Sequence, residues 1–74
     1  MREPRCIRIF REYEAAEWAK SILAKGGIMS TIREDKFGKL TLQELGIQPR
    51  FRLYIQQEDI RKAASFLAKK LRQG

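Results

Sequence analysis

Residues 5–33 read RCIRIFREYEAAEWAKSILAKGGIMSTIR, and this stretch decides the fold. It opens on alternation. Successive strand side chains point to opposite faces, so Arg5 to Arg11 sets Ile7 and Ile9 on one side and Cys6, Arg8 and Phe10 on the other. The period then changes to that of a helix over about Tyr13 to Lys25. Ala15, Ala19, Ile22 and Leu23 form one apolar stripe, with Trp18 on its flank. Glu14 and Glu17 stand in the first turns and Lys20 and Lys25 in the last, as the helix dipole favours. Gly26-Gly27 supplies the stop, because glycine tolerates a left-handed cap. A second strand follows from Ile28 to about Arg33. Ile28, Ser30 and Ile32 share one face, and Met29, Thr31 and Arg33 the other.

Outward from this unit, residues 34–49 are too many for a tight hairpin. Lys36-Phe37-Gly38-Lys39 reads as a turn. Thr41 with Glu44 three positions on is a capping box, and Gly46 is a stop, which predicts one helical turn over Leu42 to Leu45. Leu40, Leu42, Leu45 and Ile47 would tuck this insert onto the core edge. Pro49 then precedes a third strand, Arg50 to Gln56. Phe51, Leu53 and Ile55 face one way, and Arg50, Arg52 and Tyr54 the other. A second helix, about Gln57 to Leu71, carries Ile60, Ala64, Leu67 and Leu71 as its buried stripe with Ala63 alongside, while Phe66 falls off it. Trp18 and Phe66 read as core margin, or as a docking patch should both be exposed.

The expected fold is a single α+β domain over residues 1–74, with element order βαββα. A helical crossover leaves strands one and two parallel. In the split βαβ arrangement the third strand inserts between them, giving sheet order 1-3-2 with two helices on one face. Strand one then lies at an edge, where unpaired backbone groups invite another chain. The opposite face has no helix to cover it. Its expected residues are Arg8, Phe10, Arg50, Arg52 and Tyr54. Basic residues interleaved with two aromatic rings suit single-stranded nucleic acid, since rings stack bases and arginines meet phosphates. The same residues also suit an ordinary solvated face or a dimer interface burying Phe10 and Tyr54. The third strand has no glycine and lacks the Lys/Arg-Gly-aromatic pattern of an RNA-recognition sheet.

A formal net charge of +7 points to an anionic partner or simply to solubility. No apolar run approaches the ~20 residues that cross a bilayer. None of signal-peptide length follows Met1-Arg2-Glu3-Pro4, so the expected localisation is cytoplasmic. A chain of this size buries only ~60% of its unfolded surface, and partner contacts or self-association would add to its stability.

The chain has no histidine and no asparagine, which removes the commonest general base and metal ligand. Cys6 is the sole cysteine and reads as a small buried or half-buried hydrophobe. Glu34-Asp35 reads as a solvated turn, and Glu58-Asp59 as helix N-terminal charge. Gly26-Gly27 ends a helix and so cannot cradle a phosphate as a helix-opening loop does. The expectation is no enzyme, no metal, no cofactor and no small-molecule substrate.

Three features together resemble a known family. An opening strand leads into Glu14-Ala15-Ala16-Glu17, that helix closes on Gly26-Gly27-Ile28, and Leu53-Tyr54-Ile55 passes through Glu58-Asp59 into Ala63-Ala64. The pattern resembles the prokaryotic signal-transducing protein family, small βαββα modules classed as a domain of unknown function. The resemblance implies a ferredoxin-like half-barrel that often self-associates and has a regulatory or binding role. It brings no catalytic residue. The chain departs from the family in its basic charge and its long Lys36 to Pro49 insert. The functional expectation is a non-enzymatic cytosolic module acting through protein contacts on the open face or the first-strand edge. The alternative is an RNA- or single-stranded-DNA-binding protein using Arg8, Phe10, Arg50, Arg52 and Tyr54.

Overall fold

A computed structural model describes residues 3–73, with side chains through residue 70. The elements are β1 (Arg5–Phe10), α1 (Tyr13–Lys25), β2 (Ser30–Glu34), β3 (Lys36–Phe37), β4 (Leu40–Thr41), β5 (Phe51–Ile55), a 3-10 turn (Gln57–Asp59) and α2 (Ile60–Gln73). This is a mixed α+β chain of two helices and a small antiparallel sheet. The main sheet has the order β1-β5-β2, and β3 and β4 form a separate two-stranded hairpin. The sequence pattern counted three strands. The small hairpin raises the count to five, so the central segment Phe51–Ile55 is the fifth strand. Both flanking strands run antiparallel to β5, which leaves β1 and β2 parallel to each other.

The helices pack on the side of the sheet that carries Leu53 and Ile55. Ala19, Ile22 and Leu23 of α1, Ile28, and Ala63 and Leu67 of α2 complete the buried cluster, with Ile7, Phe10, Ile32, Ile60 and Phe66 against it. The Cα envelope measures 35 × 35 × 14 Å, thin enough for one sheet and one helical layer. Among the described residues, three of the nine buried apolar side chains are alanines, so the core is small. No helix among the described residues is long and apolar enough to cross a membrane.

Ala19, Ile22 and Leu23 of α1 and Leu67 of α2 are buried as expected, and one alanine differs in each helix. Ala16, not Ala15, is fully buried in α1, and Ala63, not Ala64, is buried in α2. Phe66 is half-buried against the core, where its ring lies close over Gly26, so a Cβ there would meet it at 3.1 Å. Trp18 stays exposed. The Leu71 side chain, expected on the stripe, lies outside the described residues, as do Met1, Arg2 and Gly74. At the end of α1, the Gly27 amide donates to the Ala24 carbonyl and the Ile28 amide to the Leu23 carbonyl. With Gly27 at φ +77°, this is a Schellman stop. It brings Ile28 against Leu23 in the core and launches β2.

β1 departs from strict alternation. Cys6 pairs with Tyr54, but Arg8 pairs with Leu53, so Ile7 is an extra residue, a β-bulge. Beyond it the faces exchange. Ile9 stands opposite Arg52 and Phe10 opposite Phe51. Phe10 therefore packs beneath the helices against the core, and Ile9 is 49% exposed on the other side. Burying the larger ring removes more apolar area from water than burying the isoleucine would. Phe51 also meets the Tyr13 ring edge-on at 5.6 Å, closing an aromatic corner where α1 begins.

The insert does not tuck onto the core. Gly38, at φ +62° in the first central position of the β3–β4 turn, gives a two-residue hairpin matched to strand twist. Thr41 and Glu44 then bond reciprocally: the Glu44 amide donates to Thr41 Oγ1 at 3.1 Å, and the Thr41 amide donates to Glu44 Oε1 at 3.0 Å. Amides of Gly46 and Ile47 close a second Schellman stop onto Gln43 and Leu42. Yet Leu40, Leu45 and Ile47 are exposed, and Phe37 is 73% exposed.

Candidate interaction face

The helix-free face is set by β5, whose alternate residues Arg52 and Tyr54 point away from the buried Leu53 and Ile55. Across the ladders, Arg52 lies between Ile9 of β1 and Arg33 of β2, and Tyr54 lies between Cys6 and Thr31. Directly opposed residues share a face, so these six form one surface. Arg50, exposed just before β5, has the same parity as Arg52.

Two contacts organise the surface. Arg52 Nε donates to Asp35 Oδ1 at 2.7 Å. The Asp35 amide donates to the Arg50 carbonyl at 2.9 Å, carrying the β2 ladder one residue past Glu34. The hydrogen bond from Arg52, assisted by the positive charges of Arg52 and Arg50 and opposed by partial burial, holds the Asp35 carboxyl below its usual range. The same bond raises the Arg52 guanidinium further. At the other end, the Arg33 guanidinium lies 5.6 Å from the Tyr54 ring centroid, within cation–π range. Thr31, Arg33 and Tyr54 line a shallow cleft of about 360 Å³ with Glu3 and Pro4.

Of the five residues expected here, Arg50, Arg52 and Tyr54 occupy the face. Phe10 does not, because the bulge carries it to the helix side. Arg8 follows it: its guanidinium lies 5.6 Å from the Phe10 ring centroid. Cys6, expected to be buried or half-buried, is exposed, and its Sγ reaches the Arg8 carbonyl at 3.5 Å across the bulge. Asp35, expected in a solvated turn, is half-buried in its ion pair. Strand parity carries one step past Arg33 and Glu34 would have placed Asp35 beside Arg52. Ile9 had no such signal, because a bulge leaves no mark in the apolar pattern of this strand. Among the described residues, no three histidine, cysteine, aspartate or glutamate side chains gather where a metal ion would bind.

Comparison with protein-family models, with curated proteins and with solved structures finds no match to this chain.

Proposed function

We propose that this chain is a small non-enzymatic binding module that acts through protein contacts on its helix-free sheet face, and that it works in the cytoplasm. The observation that carries the reading is the composition of that face. Half-exposed Ile9 stands where a two-ring basic platform needed Phe10. Exposed apolar area beside tyrosine and arginine is the make-up of protein interfaces. A nucleic-acid platform needs free rings and free cations. Here Arg33 already covers Tyr54, and Arg52 is held by Asp35. The bulge also interrupts the outer edge of β1, which favours the face over that edge. The absence of histidine supports a role without catalysis, cofactor or small-molecule substrate. A ferredoxin-like topology and membership of the prokaryotic signal-transducing family belong to the same proposal. They are supported by the βαββα order of the long elements and by sheet order β1-β5-β2, which becomes 1-3-2 once the small hairpin is set aside.

The second reading is RNA or single-stranded DNA bound along Arg33, Arg50, Arg52 and Tyr54, favoured by the +7 charge. A pull-down from native lysate with and without nuclease separates the two. The proposal expects captured proteins to survive nuclease and to be lost from an Ile9→Asp, Tyr54→Ala double variant. Loss of all captured material on nuclease treatment would overturn it. So would oligonucleotide binding that weakens steeply with salt and drops in Tyr54→Ala.

A further inference from the structure

The segment 36–47 is well built and poorly covered. Its hairpin, its reciprocal Thr41–Glu44 bonds and its Gly46 stop fix the backbone by local contacts. Phe37, Leu40, Leu45 and Ile47 nevertheless remain exposed on it. Single exposed apolar residues are ordinary, but four large ones on one short pre-shaped arm are not. An arm already ordered has little conformational entropy to lose when it binds.

Charge selects the occupant. A second copy would bring another +7 body to the first, and net charge of that size keeps molecules apart. The ionic side chains on the arm are Lys36, Lys39 and Glu44, and the Glu44 carboxylate is engaged by the Thr41 amide and hydroxyl. Those bonds hold it below its usual range, so it stays a bound acceptor. Exposed Arg33 and Arg50 stand near the two ends of the arm. The arm thus presents exposed apolar side chains together with Lys36 and Lys39. We infer that the arm of residues 36–47 docks an acidic protein segment, with Phe37, Leu40, Leu45 and Ile47 meeting its apolar side chains and Lys36 and Lys39 its carboxylates. This assignment rests on the protein-contact reading above and extends it to a second surface.

A random peptide display library selected against the full chain tests it. Enriched peptides should carry net negative charge together with Leu, Ile, Phe or Trp. Phe37→Ser and Leu45→Ser should each weaken them about tenfold, while Tyr54→Ala leaves them nearly unchanged. Circular dichroism and urea midpoints should match the parent, since neither side chain belongs to the core. Peptides without acidic bias, or indifferent to both arm variants, would overturn the assignment. If the enriched peptides depend instead on Ile9 and Tyr54, protein contact stands and the arm is excluded. If no peptide is enriched while a labelled single-stranded oligonucleotide binds, both readings fall. A dimer in sedimentation velocity that dissociates in Phe37→Ser would make a second copy the occupant and overturn the acidic partner.

Discussion

β1 and β2 flank the same central strand and run in the same direction, yet their side chains obey different rules. In β2 the alternation is unbroken: Ile32 faces Leu53 and the core, while Thr31 and Arg33 face out. In β1 one extra residue at Ile7 exchanges the faces, so that Phe10 is half-buried against the core and Ile9 is exposed. The difference teaches that a strand's face is fixed by its ladder register, and that the apolar pattern fixes it only while the register is continuous. It also decides function, because the bulge removes a ring from the open face and leaves an aliphatic side chain there.

The largest effect should come from the residue that both flanks share. Leu53 is fully buried opposite Arg8 on one side and Ile32 on the other. Leu53→Ala should cost ~2–5 kcal/mol in urea denaturation, whereas Phe37→Ala on the arm should stay within ~0.5 kcal/mol. A smaller effect should separate two glycines of like geometry. Gly27 at φ +77° launches β2 from α1, and Gly46 at φ +75° ends the arm's turn. Gly27→Ala should lower global stability by ~1–2 kcal/mol, since an alanine there is forced into the left-handed region. Gly46→Ala should lower it less, because the arm can open without the sheet; hydrogen exchange should then quicken at Leu45, Gly46 and Ile47 alone.

The smallest effect concerns the ion pair that joins Arg52 of β5 to Asp35, one residue past β2. The native Asp35 carboxyl lies below its unfolded value of ~3.9 because Arg52 bonds to it. Its contribution is therefore present above the unfolded value and is lost as pH falls through the native one. Asp35→Asn should flatten the acid limb of the stability curve and leave the neutral-to-basic range parallel to the parent. An unchanged acid limb would show that the pair is open in solution.

Much of this was legible in the residues. Gly26-Gly27 and the Thr41-Glu44 spacing are local signals settled by local hydrogen bonds, and the polar–apolar alternation of β2 and β5 holds because their ladder is continuous. The arm shows where local signals end. Its hairpin and its hydrogen-bonded turn, in place of the helical turn expected over Leu42 to Leu45, follow from Gly38, Thr41, Glu44 and Gly46, but whether Leu45 and Ile47 find a core depends on where the arm lies, which no local pattern records. Each helix stripe holds at Ala19, Ile22, Leu23 and Leu67 and differs at one alanine: Ala16 is buried where Ala15 is expected, and Ala63, expected alongside, where Ala64 is. The open face lacks Phe10 for a non-local reason as well: the shifted register of the ladder sets Phe10 opposite Phe51, some forty residues along the chain.

The exchanged faces of β1 are tested most directly by measuring the urea stability of Ile9→Ala and Phe10→Ala side by side. The bulge predicts a loss of roughly 2 kcal/mol or more for Phe10→Ala and less than ~0.5 kcal/mol for Ile9→Ala. A larger loss for Ile9→Ala than for Phe10→Ala would restore unbroken alternation to β1 and contradict the surface described here.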